Sequence, residues 1–158
     1  MRIVSVPAEG DPGLLAIART LMGEYGAMPH IDGRWTTVEA DIAALPDVYV
    51  APLGALLVAL DGDEPLACGA LAPLAPPEIA ELKRVYVRPA ARGRGVGEAM
   101  TRALMAAATG AGYARVRLDT APELHAAVAL YQRLGFTPIA PYHDDTERPY
   151  LFFERLLP

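Results

Sequence analysis

Residues 81–97 read ELKRVYVRPAARGRGVG, and this stretch joins a strand, a turn and a helix. Its first part, centred on Val85–Val87, is an apolar, β-branched and aromatic run that predicts a strand buried on both faces of a sheet. Pro89 ends this strand because proline has no N–H for the ladder. Three glycines follow, and a helix then begins at once, because apolar residues recur at helical spacing at Val96, Met100, Leu104 and Ala108.

A glycine-rich turn between a buried strand and a helix N-terminus is suited to binding phosphate. Gly93, Gly95 and Gly97 let the backbone come close to a ligand, the free N–H groups point outward, and the helix dipole favours negative charge. The dinucleotide pattern G-x-G-x-x-G is absent, and no Gly-Lys-Ser/Thr of a nucleotide P-loop follows. The turn therefore predicts a phosphate-bearing ligand but does not identify which one.

Length and composition predict one globular domain over residues 1–158. Hydrophobic residues make up 53% of the chain, which excludes a disordered protein. Cys68 is the single cysteine, and we expect a small buried residue rather than a nucleophile because no basic residue adjoins it. No apolar run reaches the roughly 18 residues of a membrane span, and the N-terminus turns acidic too early for a signal peptide. We therefore expect a cytoplasmic protein.

The net charge of −5 hides an asymmetry between the two halves of the chain. Residues 1–78 hold three arginines against eleven acids, whereas residues 79–158 hold eleven basic residues against eight acids. We expect the basic half to attract an anionic ligand and the acidic half a cationic one. A nucleic-acid partner is not expected, because the overall charge is negative and aromatic residues do not interleave with the arginines. Five basic residues surround the glycine turn: Lys83, Arg84, Arg88, Arg92 and Arg94.

The order of apolar patterns and chain breakers predicts one mixed sheet with helices packed on it, in the order β-α-α-β-β-β-α-β-α-β-β. We expect the strands near residues 2–6, 54–61, 64–72, 82–87, 113–119, 136–140 and 150–156. We expect the helices from 11 to about 26, from 37 to 46, from 96 to 111, and from the capping sequence Thr120–Glu123 to Gly135.

Two blocks of this sequence resemble the GCN5-related N-acetyltransferase (GNAT) superfamily. The segment Arg92–Gly97 (RGRGVG) fits its pyrophosphate signature, Gln/Arg-x-x-Gly-x-Gly/Ala, and the preceding Leu82–Pro89 resembles its fourth strand. The segment Ala127–Phe136 (AVALYQRLGF) resembles its last helix, A-x-x-L-Y-x-x-x-G-F. The two blocks lie about 30 residues apart, as they do in the family. The resemblance is specific over residues 80–137.

The resemblance implies an α/β fold: a mixed, mostly antiparallel sheet with flanking helices. It implies an N-acetyltransferase that uses acetyl-CoA as co-substrate and a primary amine as acceptor, by direct attack of the amine on the thioester. We expect no metal, no nucleic-acid or membrane partner, and a monomer or homodimer. The cofactor residues that it implies are the pyrophosphate turn (Arg92, Gly93, Arg94, Gly95, Val96, Gly97), the strand edge that pairs with the pantetheine arm (Val85, Tyr86, Val87), and Arg133 near the phosphates.

The resemblance also implies two catalytic residues. Tyr131 occupies the family's tyrosine position, where its phenol could protonate the leaving CoA thiolate. Glu81 lies six residues before Val87, where some members place a general-base glutamate. Two alternatives stay open for Glu81: it pairs with Lys83 on the same strand face, or another acid acts through water. The chain departs from the family at Leu124, where many members carry an asparagine that binds the cofactor arm.

The acceptor is not named by the sequence. The family selects it with the N-terminal helices and the last loop, which here contribute Tyr25, His30, Trp35, Tyr142, His143, Asp144, Asp145 and Glu147. For the loop with His30, Asp32, Arg34 and Trp35 we favour a surface loop anchored by Trp35 over a pocket wall. The alternative function is a catalytically silent acyl-CoA sensor, which would bind the thioester without turning it over.

Overall fold

The computed structural model describes residues 1–31, 35–144 and 149–158, without the side chains of residues 35 and 36. The element order predicted from the sequence is confirmed. The strands are β1 (Arg2–Ser5), β2 (Ala55–Asp61), β3 (Glu64–Ala75), β4 (Ile79–Val87), β5 (Arg115–Thr120), β6 (Thr137–Pro138) and β7 (Leu151–Leu156). The α-helices are α1 (Pro12–Gly26), α2 (Trp35–Ala44), α3 (Val96–Gly110) and α4 (His125–Arg133), and 3₁₀ turns cover Pro29–Ile31 and Pro89–Ala91.

The seven strands form one sheet in the order β1-β2-β3-β4-β5-β7-β6. Every neighbouring pair is antiparallel except β4 and β5, so the predicted mixed, mostly antiparallel sheet is confirmed. The parallel pairing of β4 with β5 joins only Ile79–Glu81 with Arg115–Arg117. Beyond Glu81, no described residue of β5 pairs with β4, so the two strands part and leave a cleft between them.

A β-bulge at Arg84 reverses the faces of β4. Lys83 pairs with Ala70 and Tyr86 pairs with Cys68, so two residues of β4 lie opposite Gly69 alone. Arg84 has a φ of +56°, an uncommon conformation for a residue with a side chain. Because of this reversal, Ala80 and Leu82 join the core on one face of the sheet and Tyr86 joins the core on the other. Along the strand, buried residues alternate with half-buried ones.

Two apolar cores cover the two faces of the sheet. On one face, α3 packs Met100, Leu104 and Ala108 against the strands, as their helical spacing predicted. On the other face, α1 contributes Leu21 and Met22 to a second core with residues of β2 and β3. Among the described residues, no helix is both long and apolar enough to cross a membrane.

Two predicted boundaries near the C-terminus were wrong. Helix α4 begins at His125 rather than at Thr120–Glu123, because Thr120 still pairs with Leu151 in the sheet and Leu124 N–H then closes a turn on the carbonyl of Ala121. The strand predicted at 136–140 is reduced to Thr137–Pro138. Phe136 N–H instead closes the end of α4 on the carbonyl of Tyr131, and beyond Pro138 a single bond follows, from Ile139 N–H to the carbonyl of Phe152.

A buried ion pair between Arg84 and Asp41 connects the bulge of β4 to α2. The Arg84 side chain is only 2% exposed, and its Nε donates to Asp41 Oδ2 at 2.8 Å. The Tyr49 hydroxyl donates to the same Asp41 oxygen at 2.8 Å. Burial, and then the hydrogen bond to Asp41, raise the pKa of Tyr49, so this phenol stays protonated and remains a donor.

We expect Asp41→Ala to lower the free energy of unfolding by about 3 kcal/mol, because it leaves a buried guanidinium without its counter-charge. Urea denaturation followed by circular dichroism measures the change. Glu39→Ala, which removes an exposed carboxylate from the same helix, serves as the control and should change stability by less than about 0.5 kcal/mol. Equal losses in the two variants would contradict the role of the ion pair.

Candidate active site

The glycine turn has the geometry of an anion site. Gly93 and Gly95 have φ angles of +75° and +77°. Gly95 is the N-cap residue of α3 and has no side chain that could bond to the first N–H groups of the helix. A Cβ added at either glycine would meet nothing within 4 Å, so the space over the turn is open. The first N–H groups of α3 have no acceptor inside the helix and are available to a ligand there.

The basic residues around the turn are largely held by contacts within the protein. Arg88 pairs with Glu24 at 2.8 Å and with Glu64 at 3.1 Å, while Arg84 pairs with Asp41. The partners come from the acidic half of the chain. The expectation that each half attracts its own ligand therefore needs correction for these residues, because the two halves neutralise one another across β4.

Two arginines at the turn remain at the surface. Arg92 is exposed and donates from Nε to the carbonyl of Val87 at 3.0 Å. Arg94 makes an exposed ion pair with Asp61 at 3.5 Å, a contact that is weak in water. Arg133 is exposed in the last turn of α4. The placement of Arg92 and Arg94 beside the turn agrees with the sequence, and their contact with phosphate stays a prediction.

The cleft between β4 and β5 opens into a cavity of about 170 Å³. Residues 81–85 of β4 form one wall, and Asp119 and Thr120 at the end of β5 form another. His30, for which the sequence favoured a surface loop, is buried and lines this cavity, so that interpretation was wrong for His30. Asp32 and Arg34 lie outside the described residues, as does the side chain of Trp35.

Glu81 lies at the mouth of the cleft. Its side chain is 13% exposed, and its Oε2 accepts a hydrogen bond of 2.6 Å from the Tyr142 hydroxyl. Lys83 Nζ lies 3.9 Å from Oε1, so the ion pair that the sequence analysis kept as an alternative is present but long. Burial, and then the charge of Glu81, raise the pKa of Tyr142, which keeps this phenol a donor.

Asp119 and His143 complete a polar cluster with Glu81. His143 Nε2 lies 2.5 Å from Asp119 Oδ2, and one ligand atom from each of the three residues lies within 4.8 Å of the others. The grouping is one that a metal ion could use, and the expectation of no metal stays a prediction. The sequence pointed to His143 but gave no sign of Asp119, because an acid at the end of a strand carries no motif.

The strand register explains why these side chains meet. Glu81 pairs with Arg117, so the two side chains point to the same face of the sheet, and Asp119 follows two residues later on that face. Residues 142–143 reach the cluster from the segment between β6 and β7. Asp145 and Glu147, also considered for acceptor binding, lie outside the described residues, and Asp144 is exposed.

Tyr131 lies in the core beside the cleft. Its ring packs edge-on against Phe136 at 5.6 Å, and the residue is 7% exposed. Burial above all, and then Tyr25 and Asp119, raise the pKa of the Tyr131 phenol, so it is protonated at neutral pH. Cys68 is buried as expected, and burial raises the pKa of its thiol to about 12, which makes it a poor nucleophile.

A family model described as the acetyltransferase (GNAT) family matches residues 18–136. The chain belongs to this family. An uncharacterized N-acetyltransferase of Schizosaccharomyces pombe is 33% identical over 143 residues, which cover 90% of this chain and 88% of that protein. This GNAT protein is therefore an acyltransferase.

Solved structures share the fold of this GNAT protein at low identity. An acetyltransferase from Streptococcus agalactiae superposes with a TM-score of 0.80 at 21% identity and covers 98% of both chains. An aminoglycoside 6′-N-acetyltransferase complexed with coenzyme A superposes with a TM-score of 0.70 at 16% identity, over 99% of this chain and 97% of the other. The overall fold is thus kept while most side chains differ.

We expect Gly95→Ala to weaken acetyl-CoA binding by about tenfold or more, because it strains a left-handed residue and places a methyl group in the space over the turn. Calorimetric titration measures the affinity. Gly112→Ala is the matched control: Gly112 has a φ of +90° and open space beyond it, but lies just past the other end of α3. The control should lose stability and keep its affinity. An unchanged affinity in Gly95→Ala would refute the pyrophosphate assignment.

Proposed function

We propose that this protein transfers an acetyl group from acetyl-CoA to a primary amine by direct attack of the amine on the thioester. The observation that carries the proposal is the path of β4. This strand runs from the acidic cavity at Glu81 to the open glycine turn beyond Val87. Between these two points, β5 does not pair with the edge of β4 that faces it. A phosphate-bearing donor and a cationic acceptor can therefore lie end to end along one strand.

The donor end is proposed to work through the main chain. N–H groups of the turn bind the pyrophosphate, and the edge at Val85–Val87 pairs with the amides of the pantetheine arm. Positive charge at the donor end comes from exposed arginines: Arg92 and Arg94 in the turn, and Arg133 in α4. Their proposed task is to attract the phosphates. The coenzyme A complex of the aminoglycoside acetyltransferase, which has the same fold, supports this choice of donor.

The acceptor end is proposed to work through side chains. The carboxylates of Glu81 and Asp119 face one partly buried cavity, which Lys83 and Arg84 also line. Because Arg84 is already paired with Asp41, the two carboxylates are proposed to favour a positively charged amine over an anionic one. An ammonium has no lone pair and cannot attack a thioester, so a base must first remove a proton. Glu81 is the proposed base, with Tyr142 fixing its carboxylate from the opposite side of the cleft.

Tyr131 is proposed to protonate the departing sulfur. As the nitrogen–carbon bond forms and the carbon–sulfur bond breaks, negative charge collects on the CoA thiolate. A buried phenol that is protonated at neutral pH can supply the proton that makes the thiol. The phenol regains its proton from solvent before the next turnover.

A free-thiol release assay with acetyl-CoA and a panel of amines, grouped by charge, tests the proposed function. We expect thiol release with cationic primary amines and none with anionic acceptors. Binding of acetyl-CoA without thiol release for any amine would contradict the transferase and favour the acyl-CoA sensor. Leu124, which lines the cavity where many family members carry an asparagine, is the residue that motivates this second candidate.

We expect Tyr131→Phe to lower kcat by about 100-fold while the Kd for acetyl-CoA changes little, because the phenol acts on charge that forms only in the transition state. Steady-state kinetics and calorimetry give the two quantities. Tyr113→Phe removes another buried hydroxyl, which donates to the carbonyl of Leu53, and should keep its kcat. A parallel loss of kcat and affinity in Tyr131→Phe would argue against a general acid.

A further inference from the structure

We propose that the acceptor is a free α-amino acid, whose ammonium lies against Glu81 and whose carboxylate is bound by Lys83. This inference rests on the proposed acetyl transfer and names the substrate class of the same cavity. An α-amino acid is neutral overall at neutral pH, but it holds a positive and a negative group side by side. The acceptor cavity offers one side chain of opposite charge to each of these groups.

Lys83 is a cation with donors left for a ligand. It is the single lysine of the chain, and it lines the acceptor cavity together with Glu81. Its side chain is 26% exposed, and Nζ lies 3.9 Å from Glu81 Oε1, which is too far for a hydrogen bond. Within the part of the chain that the structure describes, Nζ makes no hydrogen bond, although an ammonium carries three N–H donors. An anionic group of a ligand can therefore take these donors.

The arginines near Lys83 are already held by carboxylates. Arg84, the next residue, is 2% exposed and pairs with Asp41 at 2.7 Å. Arg117 on β5 pairs with Glu154, also at 2.7 Å. An anionic group of the acceptor would have to compete with these carboxylates for either arginine. Lys83 can pair with such a group without the loss of a short ion pair.

The strand geometry sets the spacing of the two charges in the cavity. Glu81 and Lys83 lie two residues apart on β4, so their side chains share one face of the sheet. Because Oε1 and Nζ are 3.9 Å apart, a ligand that pairs with both must hold its own charges close together. In an α-amino acid the amine and the carboxylate share one carbon. A longer chain separates them in 4-aminobutyrate, and an amide replaces the carboxylate at a peptide N-terminus.

The two oxygens of Glu81 have different contacts, which fits this arrangement. Oε2 accepts the hydrogen bond from Tyr142, so Oε1, the oxygen nearer Lys83, is left for the ammonium of the acceptor. With its carboxylate at Lys83, the acceptor has its amine beside the proposed base. The amide bond then forms as the carbon–sulfur bond of the thioester breaks. The products are an N-acetyl amino acid, coenzyme A as the thiol, and one proton released to solvent.

The test compares amino acids with their own amides, which keep the amine and the side chain but lack the carboxylate. The acceptors are glycine, L-alanine, L-serine and L-leucine, each with its amide, and 4-aminobutyrate tests the spacing. Thiol release gives kcat/KM in the wild type, Lys83→Met, Lys83→Arg and Arg2→Met. Arg2→Met is the matched control, because it removes an exposed cation from β1, at the edge of the sheet and three strands away from β4.

In the wild type, we expect at least one amino acid to exceed both its amide and 4-aminobutyrate by about tenfold or more in kcat/KM. Lys83→Met should erase this preference by raising KM for the amino acid about tenfold, with little change for the amide. Lys83→Arg keeps a cation at this position and should retain most of the preference. Arg2→Met should match the wild type, and every variant should bind acetyl-CoA normally by calorimetry.

Two results would overturn the inference. One is a set of amides that match or exceed their amino acids in the wild type. The other is an equal loss with amino acid and amide in Lys83→Met, which would reduce Lys83 to a support for Glu81. Either result leaves the acetyl transfer standing, because thiol release still occurs.

Absence of thiol release by the wild type with every amine would contradict the proposed function instead. The amino-acid site is then tested by calorimetric titration of the protein–coenzyme A complex with the same amino acids. Binding that Lys83→Met abolishes and Lys83→Arg retains would support the site, and a lack of binding to the wild type would overturn it.

Discussion

The structure depends on the parting of β4 from β5 after three residue pairs. Main-chain N–H and C=O groups need partners, so a central strand that leaves its neighbour exposes an edge that a ligand can complete. The divergence also brings the ends of two strands to one cleft, with Glu81 on one side and Asp119 on the other. On its other edge, β5 makes a six-residue antiparallel pairing with β7, which keeps the sheet continuous.

The bulge at Arg84 links β4, which borders this cleft, to helices α1 and α2. Because the bulge turns the Arg84 side chain toward α2, the guanidinium can pair with Asp41, and Arg88 reaches Glu24 on α1. Arginines next to a phosphate turn would ordinarily be read as ligands for phosphate. Here two of them pair with acids on the N-terminal helices, which leaves main-chain N–H groups and the arginines beyond Pro89 for the proposed binding of the anion.

Local patterns in the sequence predicted much of the fold and the conformation of the glycine turn. Helical spacing gave α1 and α3, alternation and breakers gave most strands, and the glycine turn was read from three residues because its conformation needs no distant contact. The cluster at the cleft could not be found this way. Asp119 meets His143 only because β7 follows β5 in the sheet, and such pairings of distant segments leave no periodic signal in the chain.

The two ends of the cleft also differ in how much they depend on particular side chains. Backbone N–H groups can bind a pyrophosphate whatever the neighbouring side chains are, provided that glycines allow the turn. The proposed acceptor cavity, by contrast, is lined by side chains from β4, β5, the 3₁₀ turn at Pro29–Ile31 and the segment before β7. Chains of 21% identity can therefore keep a common fold, as the Streptococcus agalactiae acetyltransferase does, while a cavity made of side chains is free to change residue by residue.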